Sequence, residues 1–362
     1  MSEWKEYKLG EIASFKTGKL NSSAAVENGK YPFFTCSPVT LSIDKYEYNQ
    51  KAILLAGNNA EGNFNIKYYE GKFNAYQRTY IIESNANICD LKFLYYSLQL
   101  NLLEFKNISQ GTSTRFLTSA ILNSFNIRLP LLAEQKRIAS ILGSLDDKID
   151  LLHRENETLE AMAETLFRKW FIEDAKDEWK EGKLGDEFNF IMGQSPKGES
   201  FNEEEKGIPM YQGNADFGFR FPTRRIFTTE PTRIAEEKDT LISVRAPVGA
   251  QNMAIEKCCI GRGLAAFKYK KDNLAYYSYT YYKLKSLLDE IKQFNDNGTV
   301  FGSISKSDFN NLDIIIPDLD IIIKFQNIVK PIDDKIINND REIKNLIKLR
   351  NGLLSKLILN NL

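Results

Sequence analysis

The sequence predicts an α+β protein in which two tandem mixed α/β globular sections alternate with two long helices. Three observations predict it: a repeated stretch, short β-branched runs between turn residues, and two heptad patterns. The dodecamer SLDDKIDLLHRE at Ser144–Glu155 returns as PIDDKIINNDRE at Pro331–Glu342. Self-similarity at a fixed spacing indicates one structural unit present twice.

The repeat extends over nearly the whole chain. Trp4-Lys5-Glu6 before KLGEI matches Trp179-Lys180-Glu181 before KLGDEF, an offset of 175 residues. From Gly111 and Gly298 onwards the offset is 187 residues, with no gap through the dodecamers. The second copy therefore carries about a dozen inserted residues in its variable part.

Each copy begins with a globular section. The runs KAILLAG (Lys51–Gly57), RTYIIES (Arg78–Ser84) and DTLISVRAP (Asp239–Pro247) are rich in β-branched and aromatic residues and end at turn residues. They predict short strands. LKFLYYSLQLNLLEF (Leu91–Phe105) predicts a helix between them, which makes the pattern α+β rather than doubly wound.

Each copy ends in a helical section with residues at alternating spacings of four and three, the seam of a coiled coil. The seam positions are Ile138, Leu142, Leu145, Ile149, Leu152, Asn156, Leu159, Ala163, Leu166 and Trp170, then Phe325, Val329, Ile332, Ile336, Asn339, Ile343, Leu346, Arg350, Leu353 and Leu357.

Helix signals predict a joint inside each helical section. Ser144 with Asp147 resembles a capping box, and Pro331 suits a first helical turn. These signals predict a long helix from about residue 145 and another from about 332, each after a shorter piece. Asp146, Asp147, Asp333 and Asp334 are then expected in first turns.

The two seams are predicted to pair as an antiparallel coiled coil. In a register that places residue 145 opposite 350 and residue 152 opposite 343, Asn156 meets Asn339. A buried asparagine pair fixes helix register at some cost in stability. The two asparagines are therefore the predicted register residues.

Composition excludes several classes of protein. The chain of 362 residues has 48 basic and 48 acidic side chains, one histidine (His153) and four cysteines without a C-x-x-C spacing. Neither a P-loop nor an N/D-P-P-Y/F methyltransferase tetrad occurs. We predict no catalytic residue and no metal site. With no run of 18 apolar residues and no signal-like N-terminus, we expect a cytoplasmic protein without membrane contact.

Polar loops of the globular sections are the candidate DNA-binding sites. Asn and Gln suit adenine, Arg suits guanine, and Ser and Thr suit several groups or phosphate. The candidates are Asn58, Asn59, Gln77, Arg78, Thr112, Ser113, Thr114 and Arg115 in the first copy, and Gln212, Asn214, Arg224, Arg225, Arg245, Arg262, Asn297 and Thr299 in the second. Arg220, Arg224 and Arg225 form a basic cluster in the inserted part, expected to face phosphate or solvent.

LPLLAEQKRIASILGSLDDKIDLLHREN (Leu129–Asn156) and Leu312–Ile343 resemble the repeated region of type I restriction–modification specificity subunits. SVRAPVG (Ser243–Gly249) and GRGLAAF (Gly261–Phe267) resemble their target-recognition domains. The resemblance implies recognition domains at 1–130 and 173–317 and spacer helix regions at 131–172 and 318–362.

The resemblance implies a subunit without an active site. Each recognition domain would read one half of an asymmetric, split double-stranded DNA target, and the helix pair would set the gap. Two methyltransferase subunits using S-adenosylmethionine and motor–nuclease restriction subunits using ATP and Mg would be its partners. Two alternatives stay open: a methyltransferase-only or other restriction system, distinguished by a neighbouring motor–nuclease gene, and a protein-only coiled-coil scaffold, which predicts no DNA binding.

Overall fold

The protein is described by a computed structural model covering residues 4–271, 276–295 and 302–358. It divides into two compact units, Met1–Leu151 with Ile343–Leu362, and Leu152–Glu342. Each unit holds one globular section and part of both long helices. The repeat in the sequence is therefore a repeat of structure, and the predicted α+β class is confirmed.

The first unit is built on a six-stranded sheet in the order β2-β8-β5-β7-β3-β4, in which β3 and β7 run parallel. The pairs β1–β10 and β6–β9 lie outside it. The elements are β1 (Lys5–Lys8), α1 (Leu9–Ile12), β2 (Ala13–Thr17), β3 (Tyr31–Phe34), β4 (Leu41–Ile43), β5 (Tyr48–Ala56), β6 (Asn58–Asn59), β7 (Ile66–Ala75), β8 (Thr79–Ser84), α2 (Leu91–Leu100), α3 (Leu102–Ile108), β9 (Arg115–Phe116), α4 (Ser119–Ser124), β10 (Asn126–Leu129) and α5 (Leu132–Arg168).

Strand β5 explains why this sheet forms at the run KAILLAG. Its residues 52–56 are all buried. Because side chains alternate between the faces of a strand, Ile53 and Leu55 join the core beneath α2, and Ala52 and Leu54 join a second core on the other face. A continuous apolar run is what a strand covered on both faces requires.

The second unit contains a four-stranded sheet, β12-β20-β17-β18, and a five-stranded sheet, β13-β15-β14-β19-β16, in which β14 and β19 run parallel. The elements are β11 (Lys180–Lys183), α6 (Leu184–Glu187), β12 (Phe188–Met192), β13 (Phe201–Asn202), β14 (Ile208–Tyr211), β15 (Ile226–Thr228), β16 (Ile234–Ala235), β17 (Thr240–Ser243), β18 (Gln251–Met253), β19 (Cys258–Ile260), β20 (Leu264–Tyr269), α7 (Tyr277–Ser286), α8 (Leu288–Lys292), α9 (Lys306–Asn311), β21 (Asp313–Ile316) and α10 (Leu319–Ile358).

The predicted joints in the long helices are wrong, because α5 and α10 each continue through them. The Ser144 hydroxyl donates to the Ile141 carbonyl at 2.8 Å instead of capping a helix. Pro331 lies inside α10 although proline removes one backbone hydrogen bond, at a cost of about 3 kcal/mol. Phe325, Val329 and Ile336 are buried on both sides of it and hold the helix together.

Every predicted seam residue is buried or half-buried. Within the second unit, α5 and α10 run antiparallel, because Asn156 contacts Asn339 while Phe167, further along α5, packs on Phe325, nearer the start of α10. Within the first unit, Asp146 of α5 binds Arg350 of α10. The helix pair therefore has the direction that the seam predicted.

Candidate nucleic-acid interface

Strand pairing brings two of the predicted loops of the first unit together. The short ladder β6–β9 places Asn58 beside Phe116 and Asn59 beside Arg115. The Asn59 side chain accepts hydrogen bonds from the backbone N–H groups of Glu61 and Asn63, at 2.9 and 3.0 Å. Asn59 therefore shapes its own loop. The Asn58 Oδ1 atom is buried without a hydrogen-bond partner among the described residues.

The turn between β7 and β8 supplies Gln77 and Arg78, both exposed. The Arg78 guanidinium carbon lies 5.7 Å from the centre of the Phe116 ring. An open cleft of about 470 Å³ lies between this turn and the loop that begins at Gln110. It is lined by Thr17, Gly57, Gln77, Arg78, Tyr80, Gln110, Gly111, Phe116, Leu117, Thr118 and Ser119.

The residues at the two ends of the GTSTR loop form the other wall of this cleft, and the loop itself borders it. Gln110 and Phe116 exchange two backbone hydrogen bonds, of 3.0 and 2.7 Å, which close the loop. Gly111 has φ +106°, and a Cβ atom there would lie 2.0 Å from the Thr114 carbonyl oxygen, so the turn requires glycine. Thr112 and Ser113 are exposed at the tip. Arg115 is half-buried and donates to the Ser109 carbonyl at 3.3 Å.

The second unit has a cleft at the corresponding place. Arg245 forms a β-bridge with Ser303, and Arg262 occupies the turn before β20. The cleft measures about 410 Å³ and is lined by Met192, Gly193, Val244, Arg245, Arg262, Gly302, Ser303 and Ile304. Both arginines are exposed.

The two clefts are equivalent, because the same backbone hydrogen bonds build both. Their donor and acceptor pairs are Gly18 N–Thr79 O and Gly193 N–Leu264 O; Gly57 N–Arg78 O and Val244 N–Gly263 O; Tyr76 N–Phe34 O and Gly261 N–Tyr211 O; Thr79 N–Tyr76 O and Leu264 N–Gly261 O; and Leu117 N–Gly57 O and Ile304 N–Val244 O. Asn58 therefore corresponds to Arg245, and Gln77 corresponds to Arg262.

Gln212 and Asn214 lie next to the second cleft, in the loop after β14. Both are exposed, and they line an open cavity of about 560 Å³ together with Arg225. The Gln212 Cα would lie 3.2 Å from a Cβ atom on Gly261, beside Arg262. The buried Asp216 carboxylate holds the loop by accepting from the Gln212 backbone N–H at 2.7 Å.

Of the three arginines expected to face phosphate or solvent, Arg224 and Arg225 are exposed, whereas the expectation is wrong for Arg220. Arg224 forms two hydrogen bonds with Glu256, of 2.5 and 2.6 Å, and Arg225 pairs with Asp216. Arg220 is fully buried. Carboxylates on neighbouring elements neutralise all three. Asn297 and Thr299 lie outside the described residues.

The predicted register residues meet. Asn339 Nδ2 donates to Asn156 Oδ1 at 2.8 Å and also lies 3.0 Å from Glu155 Oε2. Both asparagines are buried. Leaving either amide without its partner costs free energy, so the contact favours one register of the two helices.

The two repeated aspartates bind their recognition sections in a way that sequence reasoning missed. In the first unit, Asp146 accepts from the Tyr96 hydroxyl at 2.5 Å and pairs with Arg350 at 2.8 Å. Burial, reinforced by the Asp146 carboxylate, raises the pKa of Tyr96 well above its ordinary value. The tyrosine therefore stays protonated and acts as the donor.

In the second unit, Asp333 accepts from Tyr282 at 3.2 Å and from Arg220 at 2.8 Å. The guanidinium carbon of Arg220 lies 3.3 Å from the centre of the Tyr281 ring. The Nη1 atom of the same arginine lies 3.7 Å from Glu160 Oε1. Burial raises the pKa of Asp333, and the charge of Arg220 opposes that rise. The recurrence of an acid at one place in both copies was the signal available in the sequence.

The described residues contain no group of three or more His, Cys, Asp or Glu side chains able to hold a metal ion. Across the same residues, no helix combines the length and apolar character needed to cross a lipid bilayer. What the clefts offer is a set of amide, hydroxyl and guanidinium groups. These are the groups that read the edges of bases and contact phosphates.

Two equivalent modules, each with a polar cleft and each attached to a pair of antiparallel helices, define a two-module recognition protein. The sequence matches the family described as Type I restriction modification DNA specificity domain over residues 1–161 and 176–349. The chain belongs to this family, and its role is that of a specificity subunit.

Two relatives agree with this assignment, and one solved structure shares the fold. One relative is the inferred specificity subunit of the type I restriction enzyme MjaX of Methanocaldococcus jannaschii. It is 31% identical over 87% of this chain and 79% of its own length. The EcoDI specificity subunit of Escherichia coli is 37% identical over 45% of this chain and 34% of its own. The crystal structure of a type I S subunit from M. genitalium has the same fold, with a TM-score of 0.65, 22% identity and coverage of 99% and 96% of the two chains.

Proposed function

We propose that this subunit reads an asymmetric, bipartite double-stranded DNA target, with each cleft contacting one half-site. The observation that carries the proposal is the repetition of one cleft with different side chains in its two copies. Because the backbone frames of the two clefts are equivalent, both clefts would meet DNA in the same manner. Different side chains then read different bases, so the two half-sites differ.

Within this proposal, the recognition domains are residues 1–130 and 173–317. The candidate DNA-binding residues that the structure describes differ in their environment. Gln77, Arg78, Thr112, Ser113 and Thr114 in the first domain, and Gln212, Asn214, Arg245 and Arg262 in the second, line or border the clefts. Asn59 and Arg115 act mainly on the shape of their loops. Asn58 is the counterpart of Arg245, and its amide oxygen is buried. Arg224 and Arg225 would meet DNA only as members of ion pairs.

The spacer helix regions, 131–172 and 318–362, are proposed to set the gap between the half-sites and to dock the partner subunits. Adding or deleting seven residues changes the length of a helix by about 10 Å, which is roughly three base pairs. A matched seven-residue change in α5 and α10 is therefore expected to alter the gap and leave both half-sites unchanged.

The partners in this proposal are two methyltransferase subunits, which would bind S-adenosylmethionine and methylate adenine, and motor–nuclease subunits, which would use ATP and Mg. Catalysis would lie in those subunits. The equal numbers of acidic and basic residues support a chain that shares its hold on DNA with partners. Because such a complex acts on the chromosome, we also propose a cytoplasmic location.

The test is to co-express the chain with its methyltransferase in a strain without DNA methylation and to map modified adenines across the genome. We expect one bipartite motif with two unlike halves. The methyltransferase expressed alone is the control and should give no such motif. Failure of the pair to methylate, with no DNA binding by the purified complex, would favour a protein-only scaffold. Methylation without a neighbouring motor–nuclease gene would favour a methyltransferase-only system.

A further inference from the structure

One pair of equivalent positions differs in the two clefts in a way that relates to base identity. Gln77 directly follows Tyr76, whose backbone N–H donates to the Phe34 carbonyl on the parallel neighbouring strand. In the same way, Arg262 follows Gly261, whose backbone N–H donates to the Tyr211 carbonyl. Both side chains are exposed and both line the cleft of their unit. The same frame thus presents a carboxamide in the first unit and a guanidinium in the second.

Arg262 is available for a ligand. Across the described residues its guanidinium forms neither a hydrogen bond nor an ion pair, and the same holds for Arg245 beside it in the cleft lining. Arg224 and Arg225 of the same unit are each paired with a carboxylate. No carboxylate among the described residues therefore neutralises the two guanidinium groups of the second cleft.

The chemistry of these groups points to different bases. A guanidinium can donate two hydrogen bonds to O6 and N7 of guanine, whereas a carboxamide accepts from N6 and donates to N7 of adenine. Resting on the proposed function, we propose that Arg262 reads a guanine in the second half-site and that Gln77 reads an adenine in the first. Arg245 supports Arg262 in the same cleft.

Arginine also binds phosphate, and the two roles differ in what they do to specificity. A phosphate contact strengthens binding to every sequence equally, whereas a base contact discriminates at one position. A good bidentate contact gives about 10- to 100-fold discrimination against the wrong base. The position-specific part of the effect therefore separates base reading from phosphate binding.

The experiment maps methylated adenines with the wild-type chain, Arg262→Gln and the reciprocal Gln77→Arg, each co-expressed with the methyltransferase. Arg262→Gln should change one guanine of one half-site to adenine or to any base, and leave the other half-site intact. Gln77→Arg should change one adenine of the opposite half-site. Arg233→Gln makes the same charge change at an exposed residue of the second unit outside the cleft lining, and should leave the motif as it was.

A binding measurement covers variants that methylate too weakly to map. Purified complexes compete for oligonucleotides that differ only at the assigned guanine, and the wild-type discrimination should fall below about threefold in Arg262→Gln. Arg262→Lys keeps the charge and two donors for guanine but loses the planar fork, so it should retain binding and more of the discrimination than Arg262→Gln does. Circular dichroism and thermal melting confirm that each variant is folded.

Two results would overturn the inference. One is a uniform loss of methylation or binding with the guanine retained, which identifies a phosphate contact. The other is a second half-site in which substitution of Arg262 changes the selection of no guanine. Absence of any methylation or DNA binding by the wild-type complex contradicts the proposed function instead, so the two failures are distinguishable.

Discussion

Asp146 in the first unit and Asp333 in the second occupy the same place in the repeat, and each binds a tyrosine and an arginine. The tyrosines are equivalent, since Tyr96 lies in α2 and Tyr282 in α7. The arginines are not. In the first unit Arg350 comes from the other long helix, whereas in the second Arg220 comes from the inserted part of the recognition section.

Burial separates the two arrangements. The side chains of Arg220 and Asp333 are each 1% exposed, whereas those of Arg350 and Asp146 are 20% and 23% exposed. The repeat places Ala163 at the position equivalent to Arg350, so α5 offers no arginine there. The second unit thus keeps the acceptor, takes its cation from another element, and removes the pair from water.

The largest expected effect is on the buried pair. Arg220→Met should lower the free energy of unfolding of the second unit by about 3–5 kcal/mol, because it leaves Asp333 buried without its cation, whereas Glu160 keeps its ion pair with Lys285. Hydrogen exchange measured segment by segment in the full chain reports each unit separately. Protection should fall in β17, β20 and α7 and stay unchanged in β5 and α2.

A matched control is available in the same unit. Arg224→Met removes an arginine whose side chain is 53% exposed and paired with Glu256, and such a pair contributes at most about 1 kcal/mol. Equal losses from Arg220→Met and Arg224→Met would show that burial does not set the strength of these contacts.

These comparisons also separate what the sequence could predict from what it could not. Periodicity and the fixed offset of the repeat predicted the two modules, their helices and the contact of Asn156 with Asn339. Both signals can be found by inspecting neighbouring residues or by aligning the two copies. Neither signal predicted the arginine pair, because Arg220 and Asp333 are 113 residues apart and the inserted part has no counterpart in the first copy.

The predicted helix joints failed for a related reason. Capping signals at Ser144 and the proline at 331 are local preferences, worth about 1 and 3 kcal/mol. Burial of an apolar side chain contributes about 1.5–3 kcal/mol for each residue. Ile322, Phe325, Val329 and Ile336 are all at most 1% exposed, so their packing outweighs the proline.

A second difference between the units predicts a dependence on pH. The repeat aligns Glu187 with Ile12, and both are buried. Burial raises the pKa of Glu187 from 4.5 to about 7, although Lys283 and the Tyr279 hydroxyl oppose the rise. Between these pH values the folded unit holds a proton that the unfolded chain has released.

The contribution of Glu187 to stability therefore falls as pH rises from 4.5 to about 7 and stays low above that range. Its full size is roughly 3 kcal/mol. Glu187→Gln should remove this part of the pH dependence in the second unit, as measured by urea unfolding between about pH 5 and 8. Because Ile12 has no ionisable group, the first unit serves as the internal control. A pH profile unaltered by the substitution would contradict the assignment.

The asparagine pair tests whether the helices depend on a polar contact. Asn339→Leu should lower stability by about 1–3 kcal/mol, because Asn156 keeps a buried amide without its partner. The double variant Asn156→Leu and Asn339→Leu should recover most of that loss, since two apolar residues can pack across the seam. Denaturant unfolding of these two variants and of the single variant Asn156→Leu closes the cycle. Additive losses would mean that the two amides do not interact.

The smallest effect is expected at the exposed counterpart of the buried pair. Arg350→Met should cost the first unit less than about 1 kcal/mol, because the Arg350–Asp146 pair is partly solvated and Tyr96 still donates to Asp146. Hydrogen exchange in α2 and the start of α5 provides the measurement. A loss as large as that of Arg220→Met would mean that the shared aspartate, rather than the burial of its cation, determines how firmly each recognition section is held on the helices.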